Sequence, residues 1–208
     1  MSKVENYVTK AIAIANDNSH GYDQTHRWGK DYDCSSLVIT CVQSSGIPVK
    51  DKGATYTGNM YSVFKKCGFV DITSKINLST GDGLQRGDIL LTPNKHTEVY
   101  CGNGKMVGAR INEKGKATGG RTGDQTGREI MVHAYNNHPW KYVLRYRENV
   151  GSKNVSNSND NAIVKDIVKG KYGNGTTRKQ TLSRLYGSAK AKELQKKVNA
   201  YIRNGYKF

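Results

Sequence analysis

The sequence predicts an α+β protein in which helices precede an antiparallel sheet, with a small three-helix bundle behind it. Three observations lead there. Apolar residues recur at helical spacing from Val4 to Cys67, and short apolar runs joined by Gly- and Asn-rich turns replace them from residue 69 to about 147. The stretch 149–160 is then rich in Asn, Ser and Gly, nearly free of apolar residues, and followed by three short helical patterns. The expected organisation is a first domain at 1–148, a linker at 149–160 and a helical domain at 161–208.

In order along the chain, Val4, Tyr7, Val8, Ala11, Ile12 and Ala15 share one helical face, predicting a helix over 3–16. The Gly-rich, aromatic approach Gly21-Tyr22 to Trp28-Gly29 leads to Asp33-Cys34-Ser35-Ser36. Leu37, Val38, Cys41 and Val42 then repeat at helical spacing, and Gly46 and Pro48 stop the run, so Cys34 opens a helix that Asp33 caps. Met60, Val63, Phe64 and Cys67 mark a third helix, closed by Gly68. Strands follow at Ile89-Leu90-Leu91, His96 to Cys101, Lys105 to Asn112, Glu129 to Tyr135 and Lys141 to Tyr146, with Asn103-Gly104 as a hairpin turn. Five glycines between Glu113 and Gly127 predict a long loop bordering a groove.

A thiol at a helix start gains from the macrodipole, but the adjacent Asp33 carboxylate disfavours thiolate, so Cys34 needs an imidazole to act as a nucleophile. The competing reading is a small buried hydrophobe at a helix start. Cys41 and Cys67 lie on apolar helix faces and read as core; His133 and His138 read as ordinary strand-end histidines.

The net charge of +16 divides into +7 for residues 1–147 and +9 for the last 61. So basic a tail predicts a polyanionic partner, whether nucleic acid, anionic lipid or a teichoic-acid-bearing wall. The four cysteines form no CxxC pair, so neither a zinc site nor a disulfide framework is signalled, and no cofactor or metal is called for. Asp23, Asp31 and Asp33 lie near one another in sequence but match no calcium-loop spacing. The first residues lack the apolar run of a signal peptide, and no stretch of about 18 apolar residues predicts a membrane span.

A cysteine at a helix start followed by a histidine on a later strand, His96, resembles the NlpC-type cell-wall peptidases of the papain-like fold and the related bacteriophage peptidoglycan hydrolases called phage amidases. Gly21-Tyr22, Trp28-Gly29, Asp33-Cys34-Ser35-Ser36, Gly87-Asp88-Ile89-Leu90 and His96 with Gly102-Asn103-Gly104 carry the likeness. It implies a bacteriophage endolysin with Cys34 as nucleophile and His96 as general base, and Tyr22, Asp33 and Ser35 along a stem-peptide groove. The third, imidazole-orienting residue of the family falls twelve positions after the histidine, which here is Gly108. Counting the hairpin from Asn103 sets Arg110 opposite His96, with Gly108 and Asn112 on its diagonals. Asn112 is therefore the expected third residue, and Glu98, two along from His96, the alternative.

The tail run Gly170-Lys171-Tyr172-Gly173-Asn174-Gly175, then Arg178, resembles the small cell-wall-binding repeat of some phage lysozymes. That likeness implies muropeptide contacts at Tyr172, Asn174 and Arg178. The implied activity is amide hydrolysis in peptidoglycan, by an N-acetylmuramoyl-L-alanine amidase or a D-glutamyl endopeptidase. The implied partner is the Gram-positive wall, with no nucleic acid and no membrane, and the protein would wait in the infected host's cytoplasm until a holin releases it. The reading from another class is an inactive wall- or nucleic-acid-binding protein, with Gly108 the trace of a decayed site.

Overall fold

The computed structural model describes residues 2–147 and 157–207, which form two compact units, 1–148 and 149–208. In the first, helices α1 (Lys3–Ala15), α2 (Cys34–Ser44) and α3 (Thr57–Lys66) precede strands β1 (Phe69–Asp71), β2 (Ile89–Thr92), β3 (His96–Gly102), β4 (Lys105–Ala109), β5 (Ile130–Ala134) and β6 (Tyr142–Tyr146). The strands form one antiparallel sheet in the order β1-β6-β2-β3-β4-β5. A cysteine-led helix packed on an antiparallel sheet is the α+β layout that the sequence predicts.

Each helix forms where periodicity and caps agree. Ser2 caps α1 through its hydroxyl, and the α1 face buries Tyr7, Val8, Ala11 and Ile14. Asp33 and Ser36 make a reciprocal capping box at the start of α2, and Gly68 ends α3 with a φ of +96° that favours glycine. The main core lies between the helices and one face of the sheet, with Leu37, Ile39, Phe64, Ile89, Leu91 and Val99 fully buried. Each such side chain contributes about 1.5–3 kcal/mol by leaving water. Strand alternation sends Val99 and Cys101 into this core and turns Tyr100 to the opposite face, where it meets Leu90, Met106 and Trp140.

The Ala109 to Ile130 connection is a long loop, and two buried carboxylates tie it to the segment before α2. Asp31 accepts hydrogen bonds from the backbone of Gly21 and Gly123, and Glu129 from Tyr22 and Gln125.

In the second unit, α4 (Asn157–Val168), α5 (Gly175–Tyr186) and α6 (Ser188–Arg203) enclose a small core of Val164, Ile167, Leu182, Leu194 and Val198. Helix α4 begins earlier than the apolar pattern alone indicates, because Asp160 in its first turn is buried and accepts from Lys190 and Lys197 of α6. Most of the predicted linker lies outside the described residues; its last part, from Asn157, is helical.

Candidate active site

Asp33 builds the start of α2 around Cys34. Its Oδ1 accepts from the Ser36 backbone at 2.7 Å and the Ser35 hydroxyl at 2.9 Å, and its Oδ2 from Arg27 at 2.6 Å. Asp33 and Ser35 are thus buried, with their polar atoms turned to one another and to Arg27, whose side chain is the partly exposed member of the group. Tyr22 lies beside the thiol: burial and the charge of an ionised Cys34 together push its phenol up to about 12. Burial and then the Asp33 charge push the Cys34 thiol up to about 12 as well, against the backbone N–H groups of Thr97 and Ser35, which favour thiolate. The Thr97 contact places the sulfur against the first residues of β3, where His96 stands.

Proton bookkeeping around His96 fixes its tautomer. Its Nε2 lies 2.8 Å from Glu98 Oε1. Burial opposes ionisation of Glu98, but hydrogen bonds to His133 and His96 outweigh it and hold the carboxyl down at about 2. An ionised carboxylate only accepts, so Nε2 of His96 carries the proton and Nδ1 is left as the basic nitrogen. Trp140, buried, stacks on the His96 ring at 5.9 Å between centroids and 23° between planes, walling one side of the pair from water.

Asn112 does not fill the role expected of it. Strand β4 ends at Ala109, three residues short, so the alternation that sets Asn112 on the diagonal from His96 stops before reaching it. Its amide instead organises the loop, donating to Thr118 O and accepting from the backbone of Lys114 and Lys116. Glu98 takes the place, and Gly108 explains how. The register Val99↔Val107 sets Glu98 across from Gly108, and a Cβ built there would lie 2.5 Å from Glu98 Cγ and 2.7 Å from Cδ. The carboxylate occupies the room that a side chain at 108 would need.

That bare position also lets Glu98 reach across β4 to β5. Its Oε2 meets His133 Nε2 at 2.7 Å, and Arg110 donates to Oε1 at 3.0 Å. His133 Nδ1 meets the carbonyl of Ala134, and its Nε2, besides Glu98, also lies 2.9 Å from Arg110 Nη1. The imidazole is accordingly held above its ordinary value, chiefly by the bond to Glu98. Arg110, which the sequence sets opposite His96 without giving it a part, and His133, which it reads as an ordinary strand-end histidine, are thus fixed partners of the site. His133 lies on β5 and Arg110 just past the end of β4, and the reach of Glu98 to His133 crosses the bare Gly108, a relation that no local pattern contains.

The site opens into a cavity of about 590 Å³ lined by Lys95, His96, Arg110, Ile111, His138 and Pro139. Among the described residues no group of three or more His, Cys, Asp or Glu side chains could hold a metal ion, and Asp23, Asp31 and Asp33 each bind backbone N–H groups of their own surroundings. In the second unit, Tyr172 bonds Tyr186 through their hydroxyls at 3.0 Å, while Asn174 precedes α5 and Arg178 lies in its first turns.

The model of a family described as an endolysin-like domain matches residues 29–107 and 106–185, well over half of the chain. No curated protein sequence matches significantly. Among solved structures, a resuscitation-promoting-factor-interacting protein, RipA, mutated at a histidine, is similar at 19% identity and a TM-score of 0.45 over 69% of this chain. A hypothetical invasion protein of Mycobacterium tuberculosis is similar at 20% identity and a TM-score of 0.45 over the same share. The peptidoglycan hydrolase RipB of that organism is similar at 18% and 0.41, over 70% of this chain and 67% of its own. The chain spans 62% of the length of the first two.

Proposed function

The chain belongs to the endolysin-like domain family, and on that premise we propose that it is a peptidoglycan hydrolase that cleaves an amide bond of the bacterial cell wall, with Cys34 as nucleophile, His96 as base and Glu98 as the residue that positions His96. The observation that carries the reading is the fit of Glu98 into the space left by Gly108, with its carboxylate on His96 Nε2. Gly108, which in sequence reads as decay, is what admits the carboxylate.

The thiol rests protonated, since burial and Asp33 oppose thiolate. His96 Nδ1 takes its proton as sulfur attacks the carbonyl carbon. The oxyanion forms at the helix start, where the N–H of Cys34 has no intrahelical acceptor. The amine leaves with the proton from His96, and water, deprotonated by the same imidazole, releases the thioester. Tyr22 borders the scissile group, while Asp33 and Ser35 act on the groove through Arg27.

For the bond, we favour the amide between N-acetylmuramic acid and L-alanine, with the peptide bond after D-glutamate as the alternative. We assign wall binding to the second unit through Tyr172, Asn174 and Arg178, which raises the enzyme's concentration at an insoluble substrate. We place the protein in phage-driven lysis of a Gram-positive host. Support for both comes from the family and from the resemblance of the tail. The test is turbidity loss of purified walls with wild type and Cys34→Ser, and mass spectrometry of what is released. Clearing by wild type alone supports the nucleophile, and whole stem peptides identify an amidase, truncated stems an endopeptidase. Clearing by both, or by neither, overturns the reading.

A further inference from the structure

The cavity beside His96 is asymmetric in charge. It lies where the β2–β3 turn, the end of β4 and the β5–β6 connection meet, and these contribute Lys95, Arg110 and His138 respectively. No acidic side chain lines it. Glu98, the carboxylate bonded to two of its lining residues, is only 1% exposed and is engaged by His96, His133 and Arg110. Arg110 meets Glu98 through Nη1, while its side chain stays 32% exposed toward the opening, and Lys95 stands exposed at the rim. Glu98 carries one negative charge, whereas Arg110 and Lys95 are both permanent cations, so the cavity keeps positive charge that the buried carboxylate does not balance.

From this geometry we propose that the cavity is a carboxylate-binding subsite, which holds a free carboxylate of the stem peptide next to the scissile amide and selects stems in which that group is not amidated. Arg110 supplies N–H donors of fixed direction beside His96, and Lys95 a mobile charge at the rim. Ile111 and Pro139 form the apolar wall against which the peptide's carbon chain lies. A volume of about 590 Å³ accommodates an acidic amino-acid residue with part of its neighbour. A primary amide in place of the carboxylate carries no charge for either cation. The substrate named here rests on the hydrolase reading, whereas the preference for an anion rests on the cavity alone.

The test uses soluble muropeptides differing in one group, the α-carboxyl of D-glutamate being free or amidated, with a second pair differing at the diaminopimelate carboxyl to identify which carboxylate is read. Wild type is expected to favour one free-carboxylate form by about tenfold in kcat/KM, the effect of one well-placed charge-assisted contact. In Lys95→Gln that ratio falls several-fold, and in Lys95→Glu it approaches one or inverts. Equal turnover of both forms by wild type, or a ratio that Lys95→Glu leaves unmoved, overturns the subsite while the hydrolase reading stands. In parallel, the same peptides are titrated into Cys34→Ala protein. A preference for the free carboxylate that is lost in Cys34→Ala/Lys95→Glu upholds the subsite even if no peptide is cleaved; equal binding of the two forms overturns it.

Discussion

Each unit of the molecule has a carboxylate buried among side chains that carry or accept protons, Glu98 in the first and Asp160 in the second, and the two differ in what surrounds them. Asp160 is held by Lys190 and Lys197, both from one helix, and its neighbours are the apolar core of a three-helix bundle. Glu98 is held by His96, His133 and Arg110, drawn from around three adjacent strands, and it lies under a cavity. The lysine partners keep their charge at any pH the protein meets, whereas the imidazoles can gain and lose protons. A buried carboxylate with lysines fixes a helix start; one with imidazoles beside a cavity and a thiol can take part in proton transfer. Burial and low pKa alone do not separate the two.

Substitution can break this contrast. Glu98→Ala should lower kcat on a soluble muropeptide by about 10²-fold or more, the usual scale of a general base that is no longer held in place. Circular dichroism and the melting curve check that the fold persists. A similar loss in Asp160→Asn would erase the distinction. That second substitution should instead lower the melting temperature of the C-terminal unit, by about 1–3 kcal/mol in stability, because two lysine ammonium groups lose their anionic partner. Turnover of small muropeptides should not change, while binding to whole walls falls as the bundle unfolds.

Titration sharpens the contrast with a smaller effect. Folding raises the affinity of His133 for its proton, so its contribution to stability is complete below its ordinary value of 6.5 and is lost as pH rises through the higher folded value. Glu98 has the opposite sign: its contribution is present above 4.5 and is lost as pH falls toward about 2. Chemical denaturation from pH 5 to 9 should therefore show a shallow loss of stability on the alkaline side, which His133→Gln abolishes.

Much of this was legible without coordinates, for identifiable reasons. Helices α1 to α3 announce themselves by periodicity and caps, and Asn103-Gly104 fixes the hairpin register well enough to set Arg110 opposite His96. The placement of Asn112 failed because strand alternation was carried past Ala109, where the chain leaves the sheet. Glu98 is two residues from His96 and was visible as an alternative, but its preference over Asn112 depends on the empty space above Gly108, which exists only once β3 and β4 are paired. His133 lies a further strand away, so no local signal marks it. Trp140 escaped for the same reason, since its stacking on His96 links the β5–β6 connection to the start of β3.

Glu98 and a side chain at 108 compete for the same space, so that they exclude each other. A double-mutant cycle on wall-digestion rate tests it most directly, with Glu98→Ala, Gly108→Asn and the two combined. The account predicts that Gly108→Asn alone is strongly impaired, because its Cβ would fall 2.5 Å from Glu98 Cγ, and that it becomes neutral or restorative once Glu98 is Ala. Full activity of Gly108→Asn in the wild-type background, or impairment that simply adds to that of Glu98→Ala, would contradict it.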